Sequence, residues 1–426
     1  MIRIVLTATL LSEDDSEQFR LESGLKSSLP RETGPAILSD FQNDDGSDQN
    51  LEADDAASET ELLTALRLNL VPGIGPRHQR ALLDYFGDPE SIFAASLTEL
   101  EKVSGMGPKL ARLIHAAKSS DHATDELRTC RKNGFKLLRL DTEEYPQNLV
   151  EVCDTPLILY CRGELKPQDN LAVAIVGSRR CTLYGTQQAE KFGRALAMAG
   201  ITVISGLARG IDAAAHRGAL AVGGRTIAVS ATGLNHVYPP EHRELAEQIA
   251  SSGAIVCESR LDQQPTSGIF PQRNRIISGL SLGVLIIEAN RKSGALHTAR
   301  HAMEQGREVM AIPGRIDSFA SDGCNDLIRD GATLIRNVDD VLESLGPLVQ
   351  PVQTEQKKEV RSPRELALNE QERQILNLVT SEPQHLDEII RLADIGSSRV
   401  LATLTILEMK RMINRLPGSF FVRAFN

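Results

Sequence analysis

No Cys-x-x-Cys pair occurs among the six cysteines, which stand alone at positions 130, 153, 161, 181, 257 and 324, and the histidines form no metal-like cluster beside them. That spacing excludes a zinc ribbon and a dithiol redox motif, and it points to reduced thiols in a cytoplasmic protein with no metal site. Long hydrophobic runs are also missing. No apolar stretch reaches the roughly 18 residues of a membrane-spanning helix, since even GLSLGVLIIEA is short and broken by Gly and Ser. The opening MIRIVLTATLLSEDD has one base, a short apolar run and no cleavage site before its acids, so it reads as neither signal peptide nor anchor. Three nucleotide-site signatures are lacking too. No GxGxxG follows the first buried strand, no GxxxxGK with Ser or Thr occurs anywhere, and the second strand ends in Ser205-Gly206 instead of a ribose-binding acid.

What is present divides into segments. The net charge is -10, but residues 1–60 hold 14 acids and 4 bases, which leaves 43 of each sign in the rest of the chain. A local basic pocket is therefore compatible with the overall acidity. Residues 1–60 are expected to be a disordered acidic tail, because so few apolar residues cannot offset the entropy of ordering. A solvated or misassigned N-terminal extension is the preferred reading over a tail that repels or mimics nucleic acid.

Residues 61–120 carry two matching turns, Val71-Pro-Gly-Ile-Gly-Pro76 and Val103-Ser-Gly-Met-Gly-Pro108, each opening a helix. Such turns bare several backbone N–H groups at the positive end of a helix dipole, which suits a phosphate oxygen. The same glycines also serve a tight interhelical turn. The pair resembles a tandem helix-hairpin-helix (SAM-like) module. Residues 121–170 read as a connector packing on the core, with a strand at 157–160.

From 171 to 346 short apolar strands alternate with amphipathic helices. Strands are expected at 171–176, 201–205, 226–230, 254–257, 283–288 and 308–312, and helices at 184–199, 211–222, 241–252, 272–281 and 295–306. This rhythm predicts an α/β fold, an extended Rossmann-type, doubly wound parallel sheet covered on both faces. Residues 347–366, rich in Pro and polar residues, read as a linker. Residues 367–426 offer three short helices and a β-ribbon, the pattern of a winged-helix domain. Its 7 bases against 7 acids favour a protein-interaction or structural role over reading a duplex.

Ligands of a parallel sheet bind beyond the carboxyl ends of its strands. The loops there supply Ser178, Arg179, Arg209, Asn235, Arg273, Asn274, Arg275, Lys292 and Ser293. Glycine lets a backbone approach an anion, Ser donates at a helix start, and Arg grips phosphate bidentately. Several clamps side by side suit a polyanion, and no general base is evident among them. Asp212 and Glu258 are expected to orient Arg209 or Arg275. His216, His297 and Cys324 are read as packing or capping residues, and Tyr238 and Phe270 as residues that shape the loops or stack a base.

Six stretches in order, AIVGSRRCTLYG, ISGLARGIDAAAHRGAL, TGLNHVYPPEH, FPQRNRIISGLS, SGALHTARHAMEQGREVMAIPG and GCNDLIRDGA, resemble the core of the DNA-processing protein A (DprA/Smf) family. The resemblance implies a protein that is not an enzyme and needs no cofactor. It would bind and protect single-stranded DNA, load the RecA recombinase in natural transformation, and form a homodimer through the Rossmann domain, away from any membrane. By motif, it carries DNA contact onto Gly177, Ser178, Arg179, Gly206, Arg209, Arg273, Asn274 and Arg275. The third stretch departs from the family's Gly-Thr-Gly-Leu-Asp, reading Ala231-Thr-Gly-Leu-Asn235, and the acidic extension lies outside the pattern. The competing reading is a nucleotide or nucleoside-phosphate hydrolase using the same sheet edge, and a weaker third is a structural adaptor.

Overall fold

The computed structural model describes residues 46–346, 352–353 and 359–424. Most of the acidic tail expected over 1–60 lies outside the described residues, but from Gly46 the chain is helical. The Gly46–Asn69 helix thus begins inside the segment expected to be disordered. The two repeated turns behave alike. Gly73 (φ 85°) and Gly105 (φ 83°) take the left-handed conformation, and Pro76 and Pro108 then start the helices Pro76–Phe86 and Pro108–Ala117. Proline suits a first helical position because its missing N–H would have no intrahelical partner there.

A nine-stranded sheet forms the centre, in the order β1-β2-β6-β5-β4-β3-β7-β8-β9. Its parallel strands are β3 (Ala172–Gly177), β4 (Thr202–Ser205), β5 (Thr226–Val229), β6 (Ala254–Cys257), β7 (Gly283–Ile287), β8 (Glu308–Ala311) and the short β9 (Thr333–Leu334). The strands expected over 171–346 are parallel, and two antiparallel strands from the connector, β1 (Lys136–Arg139) and β2 (Ile158–Gly163), extend one edge. Alternate residues of each strand feed opposite faces. Val173 and Ile175 join one apolar core, and Ala174 and Val176 another. On the first of these faces the helices Leu183–Met198 and Ile211–Leu220 pack so closely that a Cβ on Gly193 would come within 2.4 Å of the Ala215 carbonyl oxygen.

The helical region does not stand apart. Leu82, Ile92 and Ile114 share one apolar core with Ile158, Tyr160, Ala228 and Ile255 of the sheet. Glu126 adds a polar tie, accepting from the Tyr160 hydroxyl (3.1 Å) and the Leu261 amide (2.7 Å). The C-terminal region has its own core, which includes Ile375, Ile389, Leu404 and Phe421. It is built from the helices Glu370–Leu378, Leu386–Leu392 and Ser397–Met409 and the hairpin Ile413–Leu416 with Phe420–Arg423, a winged helix. The segment read as an open linker contains structure of its own. Val352–Gln353 pairs with Glu359–Val360, and both valines bury against the sheet's helical layer. Among the described residues no helix is long and apolar enough to cross a membrane.

Candidate functional site

The parallel strands start at β3 in the middle of the sheet, run outward to β6, then return to β7 on the other side of β3. The reversal between β3 and β7 is the switch point at which a doubly wound sheet opens a crevice for ligands. Here a cleft of about 750 Å³ lies at that end of the strands. Of the residues singled out from the sequence, Gly177, Ser178, Arg179, Arg273, Asn274 and Ser293 line it. Gly206 and Arg209 line a small hollow beside it, which shares Arg179, Tyr238 and Phe270 with the cleft.

Each residue is held by local structure. Gly177 ends β3 where a Cβ would lie 1.8 Å from the Ile287 carbonyl oxygen, so only glycine lets the two strands run this close. The Ser178 amide donates to the Glu288 carbonyl (2.7 Å), and its Oγ accepts from the Arg180 amide (3.1 Å). Arg179 is exposed, and its guanidinium stacks 4.8 Å from the centroid of the Phe270 ring. Tyr238 packs against the same ring with centroids 5.6 Å apart. Asn274 Nδ2 donates to the Gly294 carbonyl (3.3 Å), and Ser293 Oγ accepts from the Ala295 amide at the start of the Ala295–Glu304 helix (3.3 Å).

Other expected residues are committed elsewhere. Arg273 is buried, and its Nη1 donates to the carbonyls of Gly206 (2.7 Å) and Val229. Burial pulls the guanidinium down to about 10, with Asp212 opposing the shift, and it remains charged at neutral pH. A Cβ on Gly206 would sit 2.5 Å from that guanidinium, so this glycine makes room for Arg273 instead of a phosphate. Arg275 faces away from the cleft. It is buried against Glu258 (2.6 Å) and Asp154 (3.5 Å), too deep to meet an external anion. Asn235 also lies outside the cleft, donating to Asp262 (2.8 Å) and accepting from Asn133 of the helical region (3.3 Å). Lys292 is exposed beside Ser293 but does not line the cleft.

Of the two carboxylates expected to orient arginines, Glu258 holds Arg275 as described. Asp212 instead accepts from the amides of Gly206 (3.1 Å) and Ala208 (3.4 Å), and burial raises its pKa. Arg209 pairs with Glu241, whose hydrogen bond raises the arginine's pKa while the carboxylate's falls. His216 is packed as expected, with Nδ1 2.7 Å from Thr226 Oγ1. Burial lowers its pKa to about 3. Cys324 is buried, and that burial pushes its thiol up to about 11. His297, by contrast, is exposed on the cleft wall.

Sequence reasoning missed Arg180, Asn290 and Thr298, all of which line the cleft, and it read His297, on the same wall, as a packing or capping residue. It also missed Glu288, a buried carboxylate at the end of β7 that accepts from the Thr182 amide (2.7 Å) and hydroxyl. An acid following an apolar strand next to the switch point was the available signal. Among the described residues lining the cleft, Asp212 is the one carboxylate. The wall therefore presents guanidinium, amide, hydroxyl and imidazole groups, a set of donors suited to anionic oxygens.

Residues 136–346 match the family model of DNA recombination-mediator protein A, residues 359–419 that of the DprA winged helix domain, and residues 65–117 a SAM-like helix-hairpin-helix tandem. Over 383 residues the chain is 34% identical to Protein Smf of Synechocystis sp., covering 83% of this chain and 96% of that protein. The chain belongs to the DNA-processing protein A (DprA/Smf) family. It is also 44% identical over 198 residues to DNA processing protein DprA of Streptococcus pneumoniae, covering 46% of this chain and 70% of that one. The X-ray structure of DprA from Streptococcus pneumoniae is similar with a TM-score of 0.59 and 35% identity, over 66% of this chain and 96% of that one. Family membership accounts for the six stretches, five of which supply cleft wall: Ser178 and Arg179, Ala208, Tyr238, Arg273 and Asn274, and Ser293 with His297.

Proposed function

We propose that this chain binds single-stranded DNA across the carboxyl edge of its sheet, holding the phosphodiester backbone without cutting it. The observation that carries the reading is the cleft wall: two exposed arginines, Arg179 and Arg180, stand beside Ser178, Asn274 and Ser293, and the one carboxylate among the lining residues is turned onto backbone amides. Exposed guanidinium groups attract a polyanion with a strength that falls as salt rises. Tyr238 and Phe270 add half-buried ring faces at the rim, which a base can stack on.

Membership of the DprA/Smf family supports the wider role: protection of incoming DNA, loading of the RecA recombinase in natural transformation and recombination, and action in the cytoplasm as a homodimer through the Rossmann region. The balanced charge of the winged helix supports protein contact by that region over duplex reading. Of the residues first singled out, Gly177, Ser178, Arg179, Asn274 and Ser293 are the proposed DNA contacts, with Arg209 and Lys292 at the margins.

Fluorescence anisotropy with labelled oligo-dT and with a duplex, each over a range of salt, tests the reading. Tight, salt-dependent binding of the single strand that Arg179→Glu weakens for every sequence supports it. Equal binding by parent and variant removes it. Incubation with nucleoside monophosphates tests the hydrolase reading, which release of free base, abolished by Asp212→Asn, would favour.

A further inference from the structure

A doubly wound sheet ordinarily seats an anion at its switch point, against the N-terminus of the helix that follows the first parallel strand. There, unpaired N–H groups and the helix dipole favour negative charge. In this chain that helix is Leu183–Met198, with Thr182 as its N-cap. The place beside it holds a carboxylate from the chain itself. Glu288 is 5% exposed. One of its oxygens accepts from the Thr182 amide at 2.7 Å, and the other accepts from the Thr182 hydroxyl. Its oxygen also lies against the first helical turn, since a Cβ on Gly185 would come within 2.3 Å of it. The backbone is bent to deliver this group. Glu288 has φ 48°, in the left-handed region that a non-glycine residue occupies only when its surroundings enforce it.

We infer that Glu288 is a resident substitute for phosphate and sets the class of ligand this site accepts. It closes the switch-point seat to the terminal phosphate of a mononucleotide or a strand end. A phosphate monoester carries a charge of about -1.5 to -2 at neutral pH, and placing it beside this carboxylate sets two anions together in a poorly solvated place. The main chain seals the same spot, because β3 and β7 run too close at Gly177 for anything to pass between them. Anion binding is left to the outer wall of Arg179, Arg180, Asn274 and Ser293, which is open along its length and takes internal phosphodiesters. The inference rests on the single-stranded DNA reading and adds to it that neither a free end nor a terminal phosphate is required.

The test compares the parent with Glu288→Ala and Glu288→Gln, using dTMP by calorimetry and oligo-dT with or without a 5′-phosphate by anisotropy. The parent is expected to show no saturable binding of millimolar dTMP and to bind both oligonucleotides within about twofold of each other. Glu288→Ala is expected to bind dTMP at least about tenfold more tightly than the parent, with Glu288→Gln between them. Cooperative thermal unfolding shows which variants are folded. If the alanine variant does not fold, the glutamine variant, with the same shape and no charge, carries the comparison. Folded variants that bind dTMP no better than the parent overturn the inference. So does a parent that prefers the 5′-phosphorylated strand, or one that binds dTMP undiminished by Arg179→Ala. Failure of the parent to bind oligo-dT at all would instead remove the reading of the preceding section.

Discussion

The guanidinium of Arg179 lies 4.8 Å from the centroid of the Phe270 ring. A stacked guanidinium keeps its N–H edge free while its plane is fixed, so the arginine is pre-oriented toward the cleft. Replacing Arg179 with Ala should lower the slope of log affinity against log salt by about one, because one phosphate contact is lost. Phe270→Leu keeps the charge and removes the stack, worth about 0.5–1 kcal/mol, and should weaken oligo-dT binding only a few-fold with the slope unchanged. Anisotropy titrations at several salt concentrations separate the two effects.

Arg273 and Gly206 form a fitted pair, the guanidinium occupying the space that a side chain on the glycine would need. Arg273→Ala leaves the carbonyls of Gly206 and Val229 without their donor and should cost about 1–3 kcal/mol in urea unfolding. Gly206→Ala should destabilise by a similar amount through the clash. The double variant should lose less than the two single losses together, because the clash disappears with the arginine.

Arg275 is a structural residue, and its loss should be felt in stability first. Arg275→Met strands Glu258 in a largely buried site and should cost about 3 kcal/mol at neutral pH. Burial already holds the Glu258 carboxyl above its ordinary value of 4.5. Without the arginine it rises further. A carboxyl raised on folding loses stability as pH climbs from the ordinary value through the folded one, so the variant's deficit should shrink as pH falls toward that range. Urea midpoints at a series of pH values check this.

His216 supplies a pH dependence of opposite sign. Its pKa falls from 6.5 to about 3 on burial, so the unfolded chain takes up a proton that the folded chain refuses. Stability is therefore lost as pH drops from about 6.5 toward 3, with a slope of up to about 1.4 kcal/mol per pH unit from this group. His216→Gln should flatten the curve of urea midpoint against pH over that window. An unchanged slope would place the acid sensitivity elsewhere.

The strands from β3 to β8 were legible almost to the residue, because each is a short apolar run bounded by Gly or polar residues. The edge strand β1 was not. Its four residues, KLLR, are largely part-exposed, and what makes them a strand is antiparallel pairing with Cys161 to Ile158. The arginines show the same divide. Arg179 and Arg273 both follow strands in loops or helices at the carboxyl edge, and composition cannot tell the exposed one from the buried one. One signal was available: Arg273 and Arg275 stand two apart on the Ile269–Gly279 helix, where residues at that spacing point to opposite sides, so both could not face one cleft. Asn235 and Arg209 found partners through long-range contacts, with Asn133 and Glu241, that no local pattern encodes.

Because Leu82, Ile92 and Ile114 complete one apolar core with Ile158, Tyr160, Ala228 and Ile255, the helical region acts as the sheet's permanent cover on that side. A recombinant fragment trimmed to begin near residue 136 would carry a bare greasy face and tend to self-associate. A shorter homologue without such a cover must repaint those same strand positions with hydrophilic side chains. The character of a few inward-facing strand residues thus forecasts whether the preceding helices are present at all.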